Sequence, residues 1–445
     1  MDTVENWSEL TPEQKREERF NRWLEAPGVE FKNEGAKKLY RERVTRFVRA
    51  ISLGEPDRVP VLLPSGFFPA YYAGYDLRTV MYDYDKLREA WLKFAAEFDM
   101  DSFTGPGLVF PGRVLEMTGH RLHKWPGHGL PDNASVYQYV EQDYMKADEY
   151  DAFLDNPSDF WWRYFLPRTV GAFEPFHKLL PFSAMMGVSL GNYAAMAEPD
   201  VEAALEVMIE AGKETRKWMA VVGETSREIL AAGIPNFRGG GFGGAPFDTV
   251  VDMLRGTQGM VMDMYRQPEK MHEVMEKVTP LIVKAAVAAA DASGCPVCFM
   301  PLHKGNESFM SPKQFETFYW PSFRKVLEGM IAEGLVPNPF AEGKYGARLE
   351  VIADLPKGAT VWWFEDTDMA LAKKILGGRA CIAGNVPASI MHAGTPADVR
   401  ESCRRLIETC APGGGYILTA AAGMNEGDPD NLRAFMEAAV AYGIY

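Results

Sequence analysis

Cysteine is scarce in this chain: five in 445 residues, too few and too irregularly spaced for a disulfide framework. Cys295-Pro296-Val297-Cys298 makes one C-x-x-C, but no second pair accompanies it, so neither metal nor redox use is expected there. Positive charge is also short. The 47 Lys and Arg against 61 Asp and Glu leave a net charge of −14, which argues against nucleic acid or an anionic membrane surface as a partner. No stretch approaches the roughly 18 apolar residues of a membrane span. The first residues, Met1-Asp2-Thr3-Val4-Glu5-Asn6, hold neither the basic nor the apolar segment of a secretion signal. Nucleotide motifs are missing too: the Gly-rich Arg238-Gly239-Gly240-Gly241-Phe242-Gly243-Gly244 lacks both the Lys-Ser/Thr of a P-loop and dinucleotide spacing. The expectation is an acidic cytoplasmic enzyme with a small-molecule substrate.

What is present is an alternation of short apolar strands and amphipathic helices. Lys37 to Leu53 places Leu39, Val44, Phe47, Val48 and Ile51 on one helical side, and Arg58 to Leu63 reads as a short buried strand. After a helix over Asp85–Phe98, residues 131–230 change character, with the aromatic run Phe160-Trp161-Trp162 and two helices, 200–212 and 215–232. From residue 233 the order is regular. Strands are expected at 234–239, 296–301, 335–340, 360–364, 380–382 and 416–419, each followed by a helix. Thr395 as N-cap with Pro396 at N1 starts one helix, and Asp428-Pro429 opens the last. This order predicts an α/β fold with a parallel sheet closed into a (β/α)8 TIM barrel. Residues 1–35 read as an N-terminal helical extension and 36–445 as the barrel. Within it, 131–230 form a helical insertion acting as a lid or as a contact in a homo-oligomer.

In such barrels the chemistry sits where the strands end. His303, Lys304 and Asn306 follow one strand, Glu342 and Lys344 the next, Glu365 and Asp366 the third, and Asn385 the fourth. One imidazole with two or three carboxylates suits general acid–base work or a hard metal ion held by His303, Glu342 and Glu365. His303, Glu342, Glu365 and Asp366 are therefore the expected catalytic groups. Lys304, Asn306 and Asn385 are expected to bind substrate, and Arg238 to hold a substrate carboxylate. Phe67, Phe68 and Tyr72, in the aromatic segment Pro64–Tyr75 after the first strand, suit an apolar or aromatic molecule. His120, His123 and His128 crowd one loop with Trp125, where packing is the expected role.

The punctuation Ala383-Gly384-Asn385-Val386-Pro387, Ala393–Val399 and Pro412–Leu418 resembles the end of the uroporphyrinogen decarboxylase superfamily, which includes corrinoid- and thiol-linked methyltransferases. The likeness covers about residues 36–130 and 231–445. It implies a TIM barrel, and it shows where usual reactive groups are replaced. Thiol-methylating members end one strand with His-x-Cys-Gly and bind zinc with a later Cys. Here that segment is Phe340-Ala341-Glu342-Gly343, and the later position is Ala422, so a zinc–thiolate site is expected to be absent. The decarboxylases' Met-Arg-Gln-Ala-Gly-Arg-Tyr signature is replaced by the arginine-free Pro64–Tyr75 segment, closer to the methyltransferase branch. The resemblance thus implies transfer of a methyl group, as in O-demethylation, from a small, methoxy-aromatic compound to a corrinoid protein. The alternatives are a lyase decarboxylating an aromatic or carboxylated substrate, and a barrel that binds a ligand without catalysis.

Overall fold

A computed structural model describes residues 7–63, 65–181 and 191–445; Pro64 of the aromatic segment and Met1–Asn6 lie outside the described residues. Nine strands are found among the described residues. They are β1 (Val61–Leu62), β2 (His123–Pro126), β3 (Gly129–Leu130), β4 (Gln138–Tyr139), β5 (Val297–Leu302), β6 (Val336–Ala341), β7 (Val361–Phe364), β8 (Cys381–Val386) and β9 (Tyr416–Ala420). Six form one curled parallel sheet in the order β1-β9-β8-β7-β6-β5, and β3-β2-β4 make a small separate sheet. The main strands are apolar almost throughout because both faces are covered. Residue parity sorts them. Val297, Val336, Phe340, Val361, Trp363, Cys381, Ala383 and Ile417 join one buried cluster with Trp23 and Phe47. Their neighbours Met300, Leu302, Ala341, Trp362, Phe364, Ile382 and Leu418 pack in the other, with the surrounding helices. The first set lines the inside of the curl, under helices Pro12–Glu25 and Glu34–Ile51.

Between β1 and β5 the expected strands are irregular. Asp101 accepts from Val61 N–H and pairs with Arg46 and Arg58, and Phe103 N–H donates to Pro235 O. Residues 240–243 then run beside β5, with Gly240 and Gly243 donating to Val297 and Phe299. The expected strand at 234–239 is a turn instead. Asn236 Oδ1 accepts from Arg238 N–H, an Asx turn that competes with extended backbone. Gly240 then passes so close to β5 that a Cβ would lie 2.6 Å from Val297 O. The fold shown is a barrel-like α/β curl of six strands rather than eight regular ones.

The two helices expected at 200–212 and 215–232 are one, Pro199–Ala231. Gly212 has open space around it, and a single exposed glycine costs a helix only about 1 kcal/mol. That is little against packing on helix Tyr84–Glu97 and Trp218 Nε1–H donating to Val109 O. Elsewhere the register follows expectation: Met369–Leu376, Pro396–Cys410 under a Thr395 capping box, and Pro429–Tyr442.

Candidate active site

Register alone brings the rim residues together. Pro301 pairs with Phe340, Phe340 with Trp363, Trp363 with Ala383, and Asn385 with Thr419. Two residues further along each strand, on the same inward parity, come His303, Glu342, Glu365 and Asn385. His303 Nε2 lies 3.6 Å from Glu342 Oε1, and each side chain keeps over a third of its surface open, 39% and 36%.

The partner that organises His303 comes from outside that layer. Its Nδ1 donates to Asp252 Oδ2 at 2.5 Å, leaving Nε2 as the ring nitrogen facing Glu342. Asp252 belongs to helical residues Pro246–Arg255. One turn earlier, buried Asp248 accepts from the backbone N–H groups of His303 and Lys304 and from the Tyr319 hydroxyl, at 3.1, 3.0 and 2.6 Å. Asp248 thus clamps the end of β5, and Asp252 aims the imidazole. Gly305 completes the clamp, since a Cβ there would stand 2.5 Å from Tyr345 Oη. Sequence reasoning passed over both aspartates. The available signal was an Asp-x-x-x-Asp spacing, one helical face, directly after the Gly-rich segment 239–244.

The electrostatics favour a protonated site. The hydrogen bond to Asp252, above all, raises His303 to about 9 against the opposing effect of burial. Burial raises Glu342 to about 7, and the nearby His303 charge limits that rise. Burial also raises Asp248 to about 6. Strongly shifted acid–base groups in one cleft are a mark of functional sites. His303, Lys304, Asp248 and Asp252 border a cavity of about 910 Å³ whose remaining wall is mainly apolar, including Phe242, Met253, Leu281 and Pro301. Residues 122–141 close another side through Leu122, His123, Tyr139 and Glu141.

Several other expected site residues hold the surrounding structure together. Glu365 Oε2 accepts from Gly343 N–H at 2.6 Å, and Asp366 is exposed. Asn385 donates to the carbonyls of Glu365 and Thr367, and Asn306 to His303 O while accepting from Ser308 and Phe309 N–H. Both amides therefore hold loops. Lys304 Nζ lies 3.5 Å from Glu141. Phe68 and Tyr72 are corrected: they pack edge-on against Phe94 and Phe98 at helix Tyr84–Glu97, and Tyr72 donates to Glu97. Phe67 is buried against Tyr137. None of the three borders the cavity. Arg238 lies inside the curl, its guanidinium carbon 4.2 Å from the Phe299 ring centre and 4.5 Å from that of Trp363.

The donor set does not suit a zinc thiolate. Phe340 stacks on Trp363 at 3.9 Å, Ala422 offers no donor, and all five cysteines are buried, with Cys295 and Cys298 raised by burial to about 11 and about 12. The trio expected to share a hard ion is divided between Asp252, Gly343 and the 3.6 Å His303–Glu342 approach. Among the described residues, no three His, Cys, Asp or Glu side chains converge as metal ligands do. Nor is any described helix long and apolar enough to cross a membrane.

Comparison with known proteins agrees with this architecture. A solved methyltransferase from Methanosarcina mazei superposes with a TM-score of 0.53 over 89% of this chain and 98% of its own, at 14% identity. That likeness is one of fold. The uroporphyrinogen decarboxylase of Idiomarina loihiensis is 25% identical over 264 residues, spanning 57% of this chain and 68% of the relative. The enzyme of the same name from Syntrophotalea carbinolica is 26% identical over 58% of this chain and 75% of its own length. The uroporphyrinogen decarboxylase (URO-D) family model matches residues 175–442. The match begins inside the stretch read as an insertion and leaves out residues 36–130, where a likeness was expected. Covering more than half of the sequence, it shows that this chain belongs to the uroporphyrinogen decarboxylase family.

Proposed function

We propose that this chain is a methyltransferase of O-demethylase type, moving a methyl group from a small methoxy-aromatic compound to a corrinoid carried by a partner protein. In this proposal the six-stranded curl is completed to a (β/α)8 barrel by the irregular segments at 101–103 and 235–243. Residues 131–230 are an enlarged connection on its rim, and 1–35 a helical extension. One observation carries the reading: a proton-rich His303, aimed by Asp252 and facing Glu342, at the polar end of a mainly apolar cavity. The reduced cobalt of the corrinoid would supply the nucleophile that accepts the methyl group. As the methyl–oxygen bond breaks, His303 Nε2–H gives its proton to the departing oxygen, and the aromatic product leaves as a phenol. A donor at about 9 suits this task, because a phenol's own value is about 10 and proton transfer works best between matched groups. Asp252 and Glu342 keep the imidazole charged until the transfer.

A second reading, decarboxylation of an aromatic acid, is favoured by the named activity of the curated relatives; there His303 would protonate the carbanion left by departing CO2. Product analysis separates the two. The protein is incubated with a panel of methoxybenzoates and a reduced corrinoid protein, following the methylcorrinoid spectrum, free phenol and CO2. Phenol in step with methylcorrinoid supports methyl transfer, and CO2 without methylation supports the second reading. Neither product, with binding retained, leaves a ligand-binding barrel.

A further inference from the structure

The buried arginines of this molecule differ in how they are satisfied. Arg19 donates to Glu333 O and Asp291. Arg43 donates to Gly233 O and Asp99. Arg255 is held by Asp263, Asp143 and Met145 O, and Arg348 by the carbonyls of Gly305 and Met310. Arg238 has no such partner. Its Nε and Nη2 are buried without a hydrogen-bond acceptor, and no ion pair reaches it among the described residues.

Two aromatic faces partly offset that cost. Phe299 and Trp363 attract the guanidinium by cation–π contact, but a ring face leaves most N–H groups unmet. A buried donor without an acceptor costs about 1–3 kcal/mol, and more when charged. Burial lowers Arg238 to about 9, so the group is still charged at neutral pH. It retains some accessible surface, as do Phe299 and Pro301 on β5, so the space beside it is not sealed. Phe299 and His303, just past the end of β5, are four residue steps apart, roughly 13 Å at about 3.3 Å per residue. Part of that span belongs to the two side chains themselves.

We infer that Arg238 is an anchor for a carboxylate on the substrate, clamped inside the barrel-like curl at the end opposite the His303–Glu342 pair. The orphaned fork matches a planar carboxylate, and partly exposed Phe299 with Phe242, packed edge-on to it at 5.7 Å on the cavity wall, offers apolar surface to an attached ring. The substrate class is then an aromatic acid carrying its reactive group away from the carboxylate. The inference rests on the proposed placing of the substrate in the cavity beside the end of β5, but not on which bond is broken.

Binding without turnover tests it. Benzoate, benzyl alcohol, acetate and inorganic phosphate are titrated into the whole protein, reading melting temperature and tryptophan fluorescence, for wild type, Arg238→Lys and Arg238→Met. Benzoate should bind saturably and raise the melting temperature, and benzyl alcohol should bind at least about tenfold more weakly. Arg238→Met should lose that preference and, lacking ligand, melt no lower than wild type, because it removes a charge that has no partner. Arg238→Lys should keep part of the preference, and reports on the anchor if the Met variant does not fold. Equal binding of benzoate and benzyl alcohol overturns the inference. So does benzoate binding untouched in both variants, or acetate or phosphate acting as strongly as benzoate, which would mark a free-anion site. Since no methyl acceptor is present, Arg238-dependent benzoate binding stands even if methyl transfer fails.

Discussion

His303 and His123 border one cavity from two walls, and their surroundings drive them in opposite directions. On one wall His303 meets Asp252 and Glu342, and is raised to about 9. On the other, His123 and His120 share a 2.9 Å ring–ring hydrogen bond and stack at 5.3 Å. Phe110, Tyr137 and Tyr139 pack around His123. Burial lowers both, His120 to about 4. Both groups are partly buried, so burial alone does not decide the outcome. A carboxylate in hydrogen-bond contact outweighs desolvation, and an aromatic wall cannot. The first group is equipped to give a proton near neutral pH, while the second is a neutral spacer that shapes the cavity.

The sharpest way to break this contrast is to remove the proton donor. His303→Ala or Glu342→Gln should lower turnover at least about 10²-fold, the scale of a general acid–base group, with the fold intact by circular dichroism. The double variant should be hardly worse than either single one, because groups acting as a unit lose activity non-additively. Additive losses, or either single variant near wild-type rates, would make the pair structural. A smaller effect is expected from Asp252→Asn, which keeps the packing but removes the main cause of the raised His303. Turnover should fall roughly tenfold, and the alkaline limb of the pH–rate profile should move to lower pH. An unchanged profile would mean that Asp252 only holds the helix.

The stability profiles should diverge as well. His303 is raised in the folded state above its unfolded value of about 6.5. Its contribution is therefore fully present below pH 6.5 and is lost as pH rises through about 9. His120 is lowered instead. The unfolded chain takes up a proton that the native pocket refuses, so stability is lost as pH falls from about 6.5 towards 4. His120→Phe should flatten the acid side of a melting-temperature profile by a few degrees and leave the alkaline side alone. A variant that instead loses stability on the acid side would mean that His120 is charged in the fold.

Most of the main sheet was legible because each strand is a short apolar run between glycines, prolines and helix caps. The parity that separates Trp363 from Trp362 continues to Glu365 without any structure. Two things were hidden. The strand expected at 234–239 fails through a local Asn236 contact that competes with any ladder, a choice made by backbone geometry rather than composition. Asp248 and Asp252 lay outside the strand-end pattern, because the groups that aim His303 arrive from a neighbouring helix and not from the residues immediately following a strand. Phe68 and Tyr72 misled for the converse reason: an aromatic segment after a strand can turn outward, and helix Tyr84–Glu97 offered Phe94 and Glu97 to receive it.

The smallest effect expected among the rim carboxylates belongs to Asp366. It adjoins Glu365 in sequence, yet the strand's two-residue alternation sends the pair apart. Glu365 continues the inward parity of Val361 and Trp363, while Asp366 follows Phe364 and is exposed. The helix after β7 does not need it either, because Asp368 caps Ala370 and Leu371 N–H. Asp366→Asn should therefore leave turnover within about twofold and the melting temperature within about a degree, since exposed substitutions away from special contacts seldom exceed about 0.5 kcal/mol. Glu365→Gln should do more, because a neutral amide weakens the acceptor held by Gly343 N–H at 2.6 Å and loosens the loop that carries Glu342. The comparison is a fair one, since the two substitutions make the same change in charge at adjacent positions. If Asp366→Asn proves the more damaging of the two, the alternation used to assemble the whole rim is wrong at β7, and the site must be rebuilt around the outward-facing residue.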